Sequence, residues 1–333
     1  MSDLAPKGPP PSADRKLAET APELVPHEAY KIYFENNPGS YEELHRKTRD
    51  IFPMCFEGAK FMVQKGLSSH FQVAHTISIS SANTGYRFGA TYIGKQEYTP
   101  GESFPVMLGD VDGSGNTSAT VIHQPTKNWR FKFQGQTQKS AISAAQGTIE
   151  RRGRLSTASI MLGNTDLINN SGVIVGHYLR RLTQGLDIGA ELVYQYGKSI
   201  PGGGVSILSY ALRGGVSILS YALRYTAAKW ALSSTFGSSG AHVCYYHKES
   251  DGLQFGVEFE SNFRMSEAVT TFAYQAELPE AGVTMRASCD TNWTVGAVFE
   301  KKLSPTLPFT LAISGLLNHV KAQGKFGVGL IIG

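Results

Sequence analysis

Cysteine is scarce in this chain of 333 residues: Cys55, Cys244 and Cys289 are the only three, far apart and with no CxxC pair. An odd, dispersed set builds neither a disulfide framework nor a zinc ribbon, so these positions read as small, half-buried apolar side chains. Charge is sparse too. Asp, Glu, Lys and Arg make up 17% of residues, and the net charge of +4 is too small a surplus to indicate a nucleic-acid partner. No stretch approaches 18 consecutive apolar residues, which excludes an ordinary transmembrane helix but not a barrel whose strands alternate. The opening MSDLAPKGPPPSADRKLAETAPELVPHEAY contains no apolar h-region, so secretory export is not expected.

Motifs for chemistry are likewise missing. No nucleophile elbow, phosphate loop or paired-carboxylate motif occurs, and neither enzyme activity nor a cofactor is expected. DVDGSGNTSATV starts as a calcium loop does, but Val121 stands where the bidentate Glu belongs, so it reads as a hairpin turn. The nine histidines show no HxxxH spacing and read as lacking a cysteine nearby, so no metal site is expected. The sequons at Asn116, Asn169 and Asn292 would need a secretory route to be used.

What is abundant points to strands and turns: 36 glycines, 15 tyrosines and 17 phenylalanines. From Gly58 onward the hydrophobic period is two. In LQFGVEFE, Leu253, Phe255, Val257 and Phe259 oppose Gln254, Gly256, Glu258 and Glu260; in NWRFKFQGQ, Trp129, Phe131 and Phe133 oppose Arg130, Lys132 and Gln134. Each strand thus has one apolar and one wet face. A soluble β-sandwich alternates as well, but its strands average about five or six residues. The runs here reach the nine to eleven needed to cross a bilayer at a tilt. Aromatics at strand ends, such as Tyr194, Tyr196, Tyr225, Trp230, Trp293 and Phe299, complete the girdle pattern of a membrane barrel. The candidate strands number about nineteen, odd as in some mitochondrial barrels.

Three segments follow. Residues 1–37, rich in Pro, Glu and Ala without periodicity, read as disordered. Residues 38–53 read as a short helix, with Ser40 as N-cap, Glu43 completing a capping box and Pro53 ending it. Residues 54–333 read as the transmembrane β-barrel. Its last stretch, KFGVGLIIG, with Lys325, Gly327, Leu330 and Ile332, resembles the C-terminal signal read by the machinery that inserts mitochondrial outer-membrane barrels.

Residues from Pro38 to Gly333 resemble one family. PGSYEELHRKTRDIFP, KGLSSHFQVAHT, FPVMLGDVDGSG, YYHKESDGLQFGVEFE, TNWTVGAVFEKKL and FGVGLIIG are similar to the Tom40 family, channels of the translocase of the outer mitochondrial membrane. The resemblance implies a nineteen-stranded all-β barrel with parallel first and last strands and an N-terminal helix in the lumen. It also implies assembly with a receptor helix and small Tom subunits, and passage of unfolded precursors led by Arg-rich presequences. By strand parity Asp187, Glu191, Glu258, Glu260, Asp290 and Glu300 face inward, to attract presequences weakly at several sites; Arg130, Lys132, Arg224, Lys229 and Arg286 share that face. His75, with Phe71, Val73 and Ile77, reads as outward. Lys65 does so with Phe61 and Val63, and His177 with Val173, Val175 and Leu179. Polar residues on a lipid face mark contacts, and the resemblance implies that these three clasp a phospholipid and the receptor helix at a dimer interface. The alternative within the fold is a voltage-dependent metabolite or anion pore.

One oddity remains: Gly203–Arg213 recurs letter for letter as Gly214–Arg224. The unit has eleven residues, an odd number, so one strand running through both copies would swap its faces. The expectation is that the downstream copy forms the strand, with Leu219, Tyr221 and Leu223 outward, and the upstream copy is extruded in a loop.

Overall fold

A computed structural model describes residues 36–81, 84–99, 102–138, 141–166, 171–196, 215–304 and 308–333. Residues 1–35 and the upstream repeat copy, 203–213, lie outside the described residues. Nineteen strands, from β1 (Gly58–Gly66) to β19 (Gln323–Ile332), make one sheet. They run from 8 to 15 residues. Neighbours pair antiparallel throughout except at the seam, where β1 pairs in parallel with β19, Gly58 opposite Gly327 and Phe61 opposite Leu330. Since β1 also pairs with β2 (Phe71–Ile79), the sheet closes and has no free edge.

The two faces invert the order of a soluble protein. Outward side chains include Phe61, Ile77, Phe133, Ile160 and Tyr221, all exposed. The buried set is largely polar: Thr148, Glu150, Ser159, Asp187, Ser233 and Ser314. An apolar belt of this extent on the outside is what a bilayer solvates and water does not.

The downstream repeat copy forms β11 (Gly215–Thr226), paired with β10 (Leu186–Tyr196). Leu219, Tyr221 and Leu223 are exposed on it, whereas Ala222 is buried. Every later strand therefore keeps its direction.

The segment before β1 departs from the expected capped helix. It contains a single 3-10 turn, Tyr41–Glu43, and one α-helical turn, α1 (Arg46–Arg49). Ser40 is extended and its hydroxyl caps nothing, while Glu43 pairs instead with Arg46 at 3.0 Å. The segment also carries apolar anchors: Leu44 and Ile51 are buried, and Leu44 clusters with Leu179, Ala222 and Tyr41. The barrel wall, rather than local capping, holds it in place.

Candidate functional site: the lumen and the segment threaded through it

Because strands alternate in direction, successive turns alternate between the rims. The turn between β7 (Ala141–Arg152) and β8 (Ser156–Asp166) lies at one rim, and the start of β1 at the other. Asn37 donates to the carbonyl of Gly153 in that turn at 2.6 Å. Twenty residues on, Glu57 pairs with Lys325 at 3.3 Å and accepts a hydrogen bond from Ser81 at the opposite rim; the bonds from Ser81 and Lys325 hold its carboxyl below the usual carboxylate range. The segment thus crosses the whole lumen. Between its ends Tyr41 stacks on His177 with ring centroids 4.6 Å apart, Glu42 meets Lys132 at 3.2 Å, and His45 Nδ1 meets Ser233 Oγ at 2.8 Å. Phe56 closes the crossing, its N–H donating to Ser314 Oγ at 2.9 Å.

Asn37 was missed by sequence reasoning, although Asn-Pro-Gly is a turn signal. Its Oδ1 accepts the N–H of Gly39 at 2.7 Å and so sets the bend at the rim.

The six acidic residues read as lumen charges lie on the inner face but do different things. Asp187 is fully buried between Arg181 Nε at 2.8 Å and Arg224 NH2 at 2.7 Å, closed to any passing chain. Glu191 accepts from His177 at 3.0 Å and Glu258 from His242 at 2.6 Å. Glu260 is 66% exposed and faces open space. Asp290 accepts the N–H of Thr294 at 2.7 Å and stabilises a hairpin. Glu300 shares the face of Gly296, where a Cβ would stand 3.0 Å from the Cys55 sulfur.

Of the residues read as outward, Lys65 and His75 are exposed on the outer face, one register step apart, with Val63 opposite His75 and Lys65 opposite Val73. His75 Nδ1 lies 2.6 Å from the Tyr86 hydroxyl. His177 requires a correction. It points inward, buried beneath Tyr41 between Ser159 and Glu191. Its register partner in β10 is Glu191 itself, and cross-strand partners share a face. Leu179 turns inward with it, packed against Leu44 and Tyr41 of the lumen segment, and Val175 is buried on the same face.

In the C-terminal strand Lys325 and Gly327 face the lumen and Leu330 and Ile332 the outside, as the contacts of Glu57 and Phe56 and the strand period require. A Cβ at Gly327 would stand 2.4 Å from the Phe56 carbonyl oxygen, so no side chain fits. Gly327→Ala is expected to push Phe56 off Ser314 and cost about 1–3 kcal/mol. Thermal unfolding in detergent, with protease access to residues 52–57, checks this; an unchanged midpoint and an unchanged cleavage pattern would refute it.

Beside the segment the lumen stays open as a cavity of about 690 Å³. Glu42, Glu191, Glu260 and Glu267 line it with three histidines, and no lysine or arginine stands among the described lining residues. Glu267 was not singled out in the sequence, since it opens its strand outside the clearest alternation. The opposite wall is basic: Arg130, Lys132 and Arg152 gather around the acidic start of the segment.

A closed barrel with a wet, charged lumen, an apolar exterior and an odd strand count defines a membrane channel of eukaryotic type. The chain belongs to the eukaryotic porin family, whose model matches residues 37–329. It is 62% identical over 299 residues to the mitochondrial import receptor subunit TOM40 homolog of Caenorhabditis elegans, covering 90% of this chain and 95% of that one. The TOM40 homolog 2 of Drosophila melanogaster is 49% identical, covering 89% of this chain and 84% of its own. The TOM40 homolog of Homo sapiens is 45% identical, covering 89% and 78%.

Proposed function

We propose that this chain is the protein-conducting channel of the mitochondrial outer membrane, a member of the TOM translocase that passes unfolded precursor proteins. The observation that carries this reading is the open acidic cavity beside the threaded segment. A chain led by an Arg-rich amphipathic helix meets carboxylates on three strands, Glu191, Glu260 and Glu267, and Glu42 on the segment itself. It enters readily and leaves readily. A metabolite pore for anions would present the opposite charge, so that reading fits less well. The chemistry is passage rather than catalysis.

On the outside, Lys65 and His75 are the polar residues of the seam that support a contact. His75 sits in the middle of β2, at a depth where a polar side chain is costly in lipid alone. A phospholipid headgroup, a receptor helix and a second barrel meeting near the seam would satisfy it together with Lys65, and small Tom subunits would pack around the apolar belt.

The test is expression in cells lacking their own outer-membrane channel, followed by import of a presequence-bearing precursor into their mitochondria. Rescue is the expected result. Correct membrane insertion with nucleotide flux but no import would overturn the reading in favour of the metabolite pore.

A further inference from the structure

Midway along the lumen the segment meets a cluster of histidine, cysteine and carboxylate side chains. His242 and Cys244 stand two apart on the inner face of β13 (Gly240–Ser250), and Glu258 and Glu260 do so on β14 (Leu253–Asn262). The register sets Cys244 opposite Glu258 and His242 opposite Glu260. His242 Nε2 lies 2.6 Å from Glu258 Oε1 and 3.2 Å from the Cys244 sulfur, and that sulfur lies 3.9 Å from Glu258 Oε1. His45 reaches over from the segment, its ring centroid 4.2 Å from that of His242. The donor atoms of His45, His242 and Cys244 all fall within 4.8 Å of one another, as do those of His242, Glu258 and Glu260.

His45 supplies the independent evidence. It is 9% exposed, and its Nδ1 is taken by Ser233. Its Nε2 is buried without a hydrogen-bond partner, which is costly unless something else fills that role.

We propose that His45 Nε2, His242 Nε2, Cys244 Sγ and Glu258 Oε1 form a tetrahedral site for a zinc-like divalent ion, which fastens the threaded segment to the barrel wall. Two imidazoles, a thiolate and a carboxylate suit zinc's mixed preference for nitrogen, sulfur and oxygen. The separations among His242, Cys244 and Glu258, 2.6, 3.2 and 3.9 Å, bracket the roughly 3.3–3.6 Å expected between ligands around such an ion. On binding, the Cys244 thiol gives its proton to water, the sulfur lone pair goes to the metal, and His242 keeps its ring proton on Nδ1. Glu258, Glu260 and the thiolate outweigh the positive charge of Arg49, which also acts on the cluster. The expectation that no histidine has a cysteine nearby overlooked His242-Val243-Cys244, and no sequence spacing announces His45, which arrives from 197 residues away.

The test uses the full chain in detergent on a Cys55→Ser/Cys289→Ser background, leaving Cys244 as the sole thiol, stripped by chelator and titrated with cobalt(II), then zinc(II). One equivalent of cobalt with a thiolate charge-transfer band and tetrahedral ligand-field bands, displaced by zinc, is expected. Cys244→Ser should abolish the charge-transfer band. His45→Ala, which leaves the wall untouched, should weaken binding at least about tenfold. The proposal is overturned by no stoichiometric binding, by a spectrum without thiolate character, or by binding that neither variant changes. None of these outcomes depends on import, so the channel reading stands or falls separately.

Discussion

Asparagine at position 187 is expected to destabilise the folded barrel by about 3–5 kcal/mol, the usual cost of removing one partner from a buried ion pair. The Asp187 side chain is 1% exposed, and those of Arg181 and Arg224 are 18% and 15% exposed. Arg181 donates through Nε at 2.8 Å, and Arg224 through Nε at 3.0 Å and NH2 at 2.7 Å. One carboxylate therefore neutralises two guanidinium groups. Asp187→Asn keeps the volume, removes that charge and turns an amide N–H toward a cation. Arg224 also donates to the Pro38 carbonyl, so the start of the threaded segment should loosen with it. Thermal unfolding in detergent, with a double-mutant cycle against Arg181→Gln, measures the loss and its coupling. A change below about 1 kcal/mol would mean that water already screens the cluster, and would return Asp187 to the charges available in the lumen.

The contrast between Asp187 and Glu260 marks where sequence reasoning stops. Parity along one strand tells which residues share a face, and for β14 that was enough to set Glu258 and Glu260 against Phe255, Val257 and Phe259. It cannot tell that one carboxylate is enclosed by two arginines and the other open, because the arginines come from neighbouring strands. Strand β9 (Ser171–Arg181) shows the sharper failure. Val173, Val175, His177 and Leu179 look like a lipid-facing row, yet Leu179 is buried under the segment and Val175 is buried on the same inner face, while Tyr178 is exposed outside. Where something packs inside a barrel, the inner wall turns apolar and the alternation loses its sign. The strands, including the downstream repeat copy, were legible because each strand answers to bilayer and water independently, whereas the parallel closure was implied by the resemblance. The segment was not legible, since its shape is imposed by groups spread round the wall from Lys132 to Lys325 rather than by its own propensities.

Reversing two lumen charges should show what the cavity does. Glu260 and Glu267 are exposed on the inner wall and, among hydrogen bonds and ion pairs, only Glu260 has a contact, the loose 3.7 Å approach to His242. Glu260→Lys/Glu267→Lys therefore leaves the fold intact and turns into cations two of the four acidic lining residues, those without the close partners that Lys132 gives Glu42 and His177 gives Glu191. A focused field of one sign raises encounter rates by roughly 10 to 10³, so import of an Arg-rich precursor should slow about tenfold or more. The remaining rate should also lose its dependence on salt, because the attraction that salt screens is gone. A precursor without a basic leader should pass at nearly its former rate, which separates a lost charge track from a blocked pore. If assembled channels carrying both lysines import the basic precursor at the original rate and with the original salt dependence, the acidic wall only keeps the lumen wet, and guidance must come from elsewhere in the complex.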